Sequence, residues 1–300
     1  METDSFLQFM NNAKVKIEKS LEEYFADDSD DLTVCAARYS LLSGGKRIRP
    51  LLMLASSSMF SIEEEEVIPF ACAIEMIHTY SLIHDDLPCM DNDVLRRGVP
   101  TCHVQYSETI ALLAGDALLN SAYELLLDHC LLGDIRRVKA AKFISNASGI
   151  KGMIGGQTID ISSDQRSISK EVLYEMHAKK TGALIEASIM TPYFLSRDIK
   201  NSSLVSEALS AFAKHLGLAF QIKDDLLDLF SSSDDLGKSA GKDEASNKCT
   251  FVTVFGAKKA KELFYKEMLS TSSAMDDLEK MGYNTDLLRG ISMYLREREK

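Results

Sequence analysis

Apolar residues recur every three or four positions along most of the chain, which predicts α-helices rather than strands. The spacing is clearest in three segments, 67–84, 108–128 and 204–222. Their apolar positions include Val67, Phe70, Ile74 and Ile77, then Ile110, Leu113, Ala117 and Leu118, then Leu204, Ala208, Phe212 and Leu216. Several of these helices are apolar nearly all round, as helices inside a large bundle are. No segment has the pattern of two strands joined by a turn, so the sequence predicts an all-α fold.

No linker divides the chain. The one long polar stretch, 230–250, is rich in glycine and serine and predicts a loop. We therefore expect residues 1–300 to form a single domain.

Composition and charge narrow the class of protein. The 300 residues are 45% hydrophobic and 26% charged, which is ordinary globular composition. The formal charge of −11 argues against a nucleic-acid partner, which needs a basic surface. No run approaches the ~20 apolar residues of a membrane span, and no signal peptide is evident at the start. The simplest interpretation is a soluble, cytoplasmic protein.

The first candidate for chemistry is a cluster of aspartates, Asp85, Asp86 and Asp91, around Pro88. A proline clashes with an unbroken helix, so the helix that carries Asp85 should end near Asp86. The backbone must then loop back for Asp91 to rejoin Asp85. Because the preceding stretch is mostly apolar, these acids stand at the end of a buried element rather than on a solvated surface.

A second cluster consists of Asp224, Asp225 and Asp228. Asp224 and Asp228 share one helical face, where like charges repel and need cations to offset the cost. Mg²⁺ is usually held by one or two carboxylates together with substrate phosphates. One such cluster is more often a surface face than a metal site, but two after long apolar helices predict Mg²⁺ bound against a diphosphate.

Basic residues accompany both clusters. Gly44 and Gly45 precede Lys46, and Lys46 and Arg49 are spaced so that both can contact one anion. The further basic candidates are Arg96, Arg97, Lys180, Lys238 and Lys248. Each alone is more often a solvated surface residue, and only their joint placement favours an anion site.

Two further features stay open at this point. His78 lies seven residues, about two helical turns, before Asp85, so both can face one cleft, although a histidine on an apolar helix is more often a core residue. The second feature is a glycine pair followed by polar residues, which indicates either close helix packing with a buried amide network or contact with substrate. It consists of Gly155, Gly156, Gln157 and Asp160. His84 is left unassigned.

Six blocks of the sequence resemble, in the same order, those of the trans-isoprenyl diphosphate synthases. They are GGKRIRP, IHTYSLIHDDLPCMDNDVLRRG, GGQTID, KKTG, QIKDDLLD and GKSAGKD. The resemblance runs from Gly44 to Lys248 and is highly specific. It implies a helical bundle of the isoprenoid synthase type around a deep central cavity, with the two acid clusters facing each other. It also implies a homodimer.

The same resemblance implies residue roles. Asp85, Asp91 and Asp224 resemble the principal ligands of about three Mg²⁺ ions, with Mn²⁺ as an alternative, and Asp86 and Asp228 support them. Residues similar to contacts of the allylic diphosphate are Arg96, Lys180, Lys238 and Lys248. Those similar to the isopentenyl diphosphate site are Lys46, Arg49, His78 and Arg97. Thr181 and Gln221 resemble residues that point oxygen atoms at a developing carbocation.

Product length is expected to depend on the pocket beneath the first cluster. Tyr80, five residues before Asp85, resembles the aromatic residue of bacterial farnesyl diphosphate synthases. In ideal helix geometry the small Ser81 lies more directly below Asp85, so a core tyrosine is the alternative interpretation of Tyr80. The expected function is condensation of dimethylallyl and then geranyl diphosphate with isopentenyl diphosphate to give farnesyl diphosphate (C15).

Several alternatives remain. A geranylgeranyl diphosphate synthase (C20) is the nearest, and a terpene cyclase or a non-catalytic subunit of a heteromeric synthase is further away. The presence of Lys46, Arg49 and His78 argues against a cyclase, and both intact acid clusters argue against a non-catalytic subunit. The basic C-terminus, 295–300, is expected either to close over the site or to be a frayed helix end.

Overall fold

The computed structural model describes residues 3–25, 30–163, 168–230 and 249–298. Within these ranges nearly all regular structure is helical, which confirms the all-α prediction. The helices are α1 (Thr3–Tyr24), α2 (Leu32–Leu42), α3 (Ile48–Met59), α4 (Glu64–Asp85), α5 (Cys102–Gln105), α6 (Glu108–Cys130), α7 (Ile135–Ser148), α8 (Met153–Ser163), α9 (Lys170–His177), α10 (Ala183–Leu195), α11 (Ser202–Phe230), α12 (Phe251–Phe255), α13 (Ala257–Lys280) and α14 (Asp286–Glu297).

Helix α4 lies at the centre of the bundle. It packs against α3, α6 and α10, while α11 packs against α10 and α13. Phe70, Ile74 and Ile77 of α4 are fully buried, as expected for a helix that is apolar nearly all round. Two helices, α4 and α6, are long and apolar enough to cross a bilayer, but burial in a core explains this composition for α4, whose apolar window is 72% buried.

The ends of α4 follow from its sequence. Glu63 is the N-cap, and the acids from Glu64 to Glu66 occupy the first turn, where they complement the helix dipole. The helix ends at Asp85, with Asp86 as its C-cap, just before Pro88. The chain then turns back so that the Asp91 N–H donates to the Asp85 carbonyl over 2.9 Å. Both the helix end and the return loop confirm the sequence prediction.

The expectation of no strands was wrong at one small place. Leu95–Arg96 and Val99–Pro100 form a two-residue antiparallel pair, β1 and β2, just after the first acid cluster. Such a pair is too short to produce an alternating pattern of apolar and polar residues. Its turn places Arg97 in the left-handed region, at φ 55°.

Helices α9 and α10 are joined by a π-helical turn, Ala178–Gly182, rather than by a loop. It carries Lys180 and Thr181, and a π-turn inside a helix is frequently found at a functional site. Gly156 of α8 packs directly on this turn, since a Cβ at position 156 would lie 2.2 Å from the Lys180 nitrogen. The glycine is therefore required for close approach of the two backbones.

Candidate active site

A cavity of about 300 Å³ opens beside the C-terminal half of α4. Its lining includes the polar residues Arg49, His78, Asp85, Lys180 and Thr181. The rest of the wall is mostly apolar and comes from α4, α8 and the loop after α4: Tyr80, Ser81, Leu82, His84, Met90, Met153, Ile154, Gln157, Thr158 and Ile161. The cavity thus combines charged and apolar lining, which suits a ligand with an anionic head and a hydrocarbon tail.

Asp85 and Lys180 belong to one polar network with α8. Gln157 Nε2 donates to Asp85 Oδ1 over 2.8 Å, and Lys180 Nζ lies 2.5 Å from Asp160 Oδ2. Burial would lower the pKa of Lys180, but Asp160 and Asp85 outweigh it and raise that pKa. The lysine is therefore held as a cation beside the cavity. In the GGQTID block Gly156 makes the close packing and Gln157 lines the cavity, so contact between this block and substrate stays a prediction.

The first acid cluster divides into two kinds of carboxylate. Burial raises the pKa of Asp85 to about 6, with Asp91 adding to the rise and Lys180 opposing it. Asp86 is buried, and Arg96 grips it with Nε at 2.8 Å from both carboxylate oxygens and Nη2 at 2.6 Å from Oδ1. Asp86 is thus occupied by a charged partner, whereas Asp85 lies at the cavity wall.

Asp85 fits a divalent cation. Its raised pKa means that the carboxylate is costly to keep ionised beside Asp91 without added positive charge. Among the residues that the structure describes, no three acidic, histidine or cysteine side chains already converge on one point. Carboxylates of this kind hold Mg²⁺ when phosphate oxygens and water complete its coordination.

The second acid cluster lies on α11 and reaches the cavity through Gln221. Thr181 Oγ1 donates to Gln221 Oε1 over 2.8 Å, and Gln221 Nε2 donates to Asp225 Oδ1 over 2.9 Å. The other oxygen of Asp225 accepts the Phe251 N–H over 2.7 Å. Asp225 is buried, whereas Asp224 and Asp228 are half-buried.

The basic residues form a second group of like charges. Burial lowers the pKa of Arg49, and Arg97 adds to the effect while Glu75 and Asp224 oppose it. The pKa of half-buried His78 lies well below its usual value, through burial and then through Arg49 and Arg97. Arg49, Arg97 and His78 thus lie close enough to disfavour one another's charge, and a bound anion would relieve this repulsion.

Lys46 and Arg97 flank this basic group. The exposed Lys46 has a pKa lowered by partial burial and by Arg298, while Asp224 raises it. Arg97 donates to the Gly44 carbonyl, and a Cβ at Gly45 (φ 121°) would lie 2.8 Å from its guanidinium carbon. The paired glycines therefore let the guanidinium lie against the backbone before Lys46.

Arg47, in the same basic run, faces away from the site. It is 2% exposed, with Nη1 at 2.8 Å from Glu75 Oε1 and Nη2 donating to the Leu41 carbonyl over 2.7 Å. Its backbone is left-handed, at φ 51°. Arg47 therefore anchors the run to α4 and leaves its neighbours for ligand.

The C-terminal segment is docked rather than frayed. Arg298 donates to Asp224 Oδ1, and its guanidinium lies 4.2 Å from the centre of the Phe220 ring. The sequence suggested contact between the basic tail and the site but did not identify this residue. Lys238 and Lys248 lie outside the described residues, so their assigned roles stay predictions.

His84 has a packing role. Its Nε2 lies 3.0 Å from the Leu112 carbonyl, and a Cβ at Gly115 would come within 2.1 Å of that nitrogen. The Tyr80 ring meets the His84 ring edge to face, with centres 5.7 Å apart. Tyr80 is 6% exposed, so it is both a core residue and part of the cavity wall. Ser81 also lines the cavity, so both candidate positions for limiting product length border it.

Comparisons with known proteins agree with this geometry. Residues 31–284 match the family described as polyprenyl synthetase. The chain is 38% identical to the farnesyl diphosphate synthase of Bacillus subtilis (strain 168), over 88% of this chain and 90% of that protein. It is 45% identical to geranylgeranyl pyrophosphate synthase 7, chloroplastic, of Arabidopsis thaliana, over 78% of this chain and 67% of the relative.

The fold also has a close structural match. The structure of the geranyltransferase from Helicobacter pylori, complexed with magnesium and isoprenyl diphosphate, superposes with a TM-score of 0.83 at 33% identity. The match covers 99% of this chain and 98% of that one. The predicted fold type is therefore confirmed over nearly the whole length.

Proposed function

The chain belongs to the polyprenyl synthetase family, and we propose that within this family it makes farnesyl diphosphate (C15). It is a short-chain prenyltransferase that uses a divalent metal, as its farnesyl and geranylgeranyl synthase relatives indicate. The observation that carries the proposal is one cavity whose lining combines Arg49, Asp85 and Lys180 with a mostly apolar wall. We treat residues 1–300 as one such domain.

Each group of residues has a part in the proposed reaction. Lys180 and Arg96 hold the allylic diphosphate, while Lys46, Arg49, His78 and Arg97 hold isopentenyl diphosphate. Asp85, Asp91 and Asp224 would hold about three Mg²⁺ ions, with Mn²⁺ as the alternative, and the ions would supply positive charge to offset the charge of the departing diphosphate. Asp86 and Asp228 support these ligands, and Lys238 and Lys248 add contacts to the diphosphate.

The chain's own residues protect and guide the cation that forms when the allylic C–O bond ionises. Thr181, with Gln221 hydrogen-bonded behind it, presents oxygen where positive charge develops, and fixed dipoles in a dry site stabilise such charge strongly. Met90, Met153 and Ile161 shield the cation from water. The double bond of isopentenyl diphosphate then attacks the cation, and the departed diphosphate takes the proton that is lost.

Tyr80 is the proposed limit on product length. Its ring is buried against His84, which is fixed by the Leu112 carbonyl and by Gly115. A ring supported in this way cannot swing aside without disturbing α6, so the channel should stop near Tyr80. The geranylgeranyl alternative (C20) rests on the similarity to plant synthases of that name.

A homodimer is part of the proposal. Leu112, Leu113 and Leu127 of α6 are 46%, 44% and 63% exposed, and apolar side chains exposed along one helix mark an interaction surface. We place the partner subunit there and the enzyme in the cytoplasm. Light scattering coupled to size-exclusion chromatography should give about twice 33.3 kDa, and Leu113→Glu should favour the monomer.

Product analysis tests the activity. The purified chain is incubated with labelled isopentenyl diphosphate and either dimethylallyl or geranyl diphosphate, and the products are separated by chromatography. A dominant C15 product supports the proposal, whereas a dominant C20 product would replace it with the geranylgeranyl alternative. Product formed without isopentenyl diphosphate would indicate a cyclase, and no turnover with any primer would reject prenyl transfer.

A further inference from the structure

Asp225 is connected to the cavity through a chain of directed hydrogen bonds. Its Oδ1 accepts from Gln221 Nε2, and Gln221 Oε1 accepts from the Thr181 hydroxyl. Asp225 and Thr181 are 6% and 9% exposed, and Gln221 between them is half-buried, so both ends of this hydrogen-bond chain lie within the protein. Only Thr181, at the far end, lines the cavity.

The donor and acceptor groups fix the direction of each of these hydrogen bonds. An ionised carboxylate only accepts hydrogen bonds, so Gln221 must turn its NH₂ group toward Asp225. The amide oxygen then faces Thr181, whose single hydroxyl proton is used on that oxygen. The remaining lone pairs of Thr181 Oγ1 are left for the cavity.

We propose that Asp225 is a positioning residue that acts through Gln221 to orient the Thr181 hydroxyl, so that oxygen rather than hydrogen faces the allylic cation. This inference rests on the proposed prenyl transfer. It separates Asp225 from its neighbour Asp224, since the two oxygens of Asp225 are engaged by Gln221 and by the Phe251 N–H.

The bond to Phe251 gives Asp225 a fixed orientation. Phe251 is the first residue of α12, and its side chain is fully buried. Asp225 and Gln221 are one helical turn apart on α11, so the carboxylate is held between a backbone N–H and an amide on the same helix face. With the carboxylate fixed, the amide cannot flip without losing its acceptor.

Asp225→Asn tests the orientation while keeping the shape. An asparagine oxygen still accepts the Phe251 N–H, but its NH₂ group now faces Gln221 and favours the flipped amide. The flipped amide donates to Thr181, whose hydroxyl proton then points into the cavity. We expect kcat to fall on the order of 10- to 100-fold, because reversing one dipole in a dry site approaches the loss of an oxyanion donor.

A compensating variant sharpens the test. In Gln221→Glu combined with Asp225→Asn, the carboxylate moves to position 221 and again only accepts from Thr181, while the amide introduced by Asp225→Asn donates to it. We expect this pair to recover about tenfold or more of the lost kcat. The effects of Thr181→Val and Asp225→Asn should also fail to add, since they remove the same interaction.

The readouts distinguish the inference from its rivals. Asp225→Asn should leave both KM values and the Mg²⁺ concentration for half-activity within about twofold of wild type. Asp277→Asn, at an exposed position of α13, is the matched control for loss of one charge and should behave as wild type. Thermal unfolding is measured for each variant, and the single and compensated variants both retain the acceptor for Phe251.

Three results would overturn the inference: a kcat for Asp225→Asn within about threefold of wild type, a tenfold or greater rise in the Mg²⁺ requirement, or no recovery in the compensated variant. The first would leave Asp225 as a helix cap alone, and the second would make it a metal ligand. Absence of prenyl transfer by the wild-type enzyme would instead reject the proposed function itself.

Discussion

The two acid clusters share one arrangement and differ in how they complete it. In each adjacent pair, the first aspartate (Asp85 or Asp224) is half-buried and the second is buried, with Asp86 3% and Asp225 6% exposed. Asp86 is held by the guanidinium of Arg96, whereas Asp225 accepts from the amide of Gln221 and a backbone N–H. The contacts of Asp86 thus include a guanidinium, and those of Asp225 include a side-chain amide and a backbone N–H.

This difference teaches that neighbouring acids in one motif need not share a task. Successive residues on a helix point about 100° apart, so one can face a cavity while the next enters the interior. The ion pair of Asp86 fixes the turn after α4, and the hydrogen bonds of Asp225 fix the hydroxyl of Thr181. Reading Asp-Asp as two equal ligands would miss both roles.

The largest expected effect comes from neutralising the half-buried aspartates. Asp85→Asn and Asp224→Asn should each lower kcat/KM by about 10²- to 10³-fold, because they weaken charge stabilisation at the departing diphosphate. Steady-state assays at saturating Mg²⁺ measure this, and chelating the divalent ions should abolish turnover of the wild type. Activity within a few-fold of the Asp277→Asn control would remove the aspartate concerned from the site.

The buried member of the first cluster should matter for stability. Asp86→Leu leaves Arg96 without its main partner, and removing one side of a buried ion pair costs about 3 kcal/mol of unfolding free energy. Urea denaturation measures the loss. Asp86→Leu combined with Arg96→Leu should recover at least half of it, since the guanidinium that Asp86→Leu leaves behind is then removed as well, whereas Asp225→Asn should change stability less. Equal losses in the single and double variants would contradict a charge-matched pair.

Beside the second cluster, His177 should make stability depend on pH. Burial lowers the pKa of this histidine to about 4, and its ring stacks on Phe251 at 5.1 Å. Below the usual histidine pKa of about 6.5 the unfolded chain binds a proton that the folded chain refuses, so stability falls as pH falls from about 6.5 to about 4. His177 alone should lower the unfolding free energy by about 2 kcal/mol at pH 5 relative to pH 7.

Replacing the group isolates its share. His177→Gln should show a shallower loss of unfolding free energy between pH 7 and pH 5 in urea denaturation. His129→Gln, a half-buried histidine of α6, is the matched control and should keep the wild-type slope. An unchanged slope in His177→Gln would mean that the ring is protonated in the folded protein.

The smallest expected effect concerns product length. It again separates the two clusters, because α4, which carries Asp85 of the first cluster, also contributes Tyr80 to the cavity wall. Tyr80→Ala should shift the main product from C15 toward C20 by opening the channel, with little change in turnover. Tyr80→Phe keeps the ring and should leave the product unchanged. Chromatography of the products measures both, and a C15 product from Tyr80→Ala would remove Tyr80 as the limit. Ser81→Phe should shorten the product if the chain passes that side of α4.

Much of this arrangement could be predicted because its signals are local. The period of apolar residues gave the long helices, and Pro88 marked the end of α4. The sequence also brought Asp85, Lys180 and Thr181 to one site through a family resemblance, and the structure places all three on one cavity wall. Which aspartates bind metal stays a prediction.

The rest depended on partners that lie far away in the chain. Arg47 and Arg49 look alike in sequence, and only Glu75, 28 residues later, decides that Arg47 turns inward. Arg298 contacts Asp224 across 74 residues, and the sequence left open whether the basic chain end closes over the site or is a frayed helix end. The π-helical turn at Ala178–Gly182 hardly changes the three- and four-residue spacing of apolar positions, so that spacing does not reveal it.

The π-helical turn at Ala178–Gly182 also determines how the two helices are phased. Because an α-helix advances about 100° with each residue, losing one residue here would rotate α10 against α9 by roughly that angle. Either Thr181 or the buried face that includes Leu184 and Ile185 would then leave its neighbours. The spacing between Lys180 at the cavity and the core of α10 is thus fixed to the single residue, and we expect that a length change of the kind a surface loop absorbs would disrupt this site.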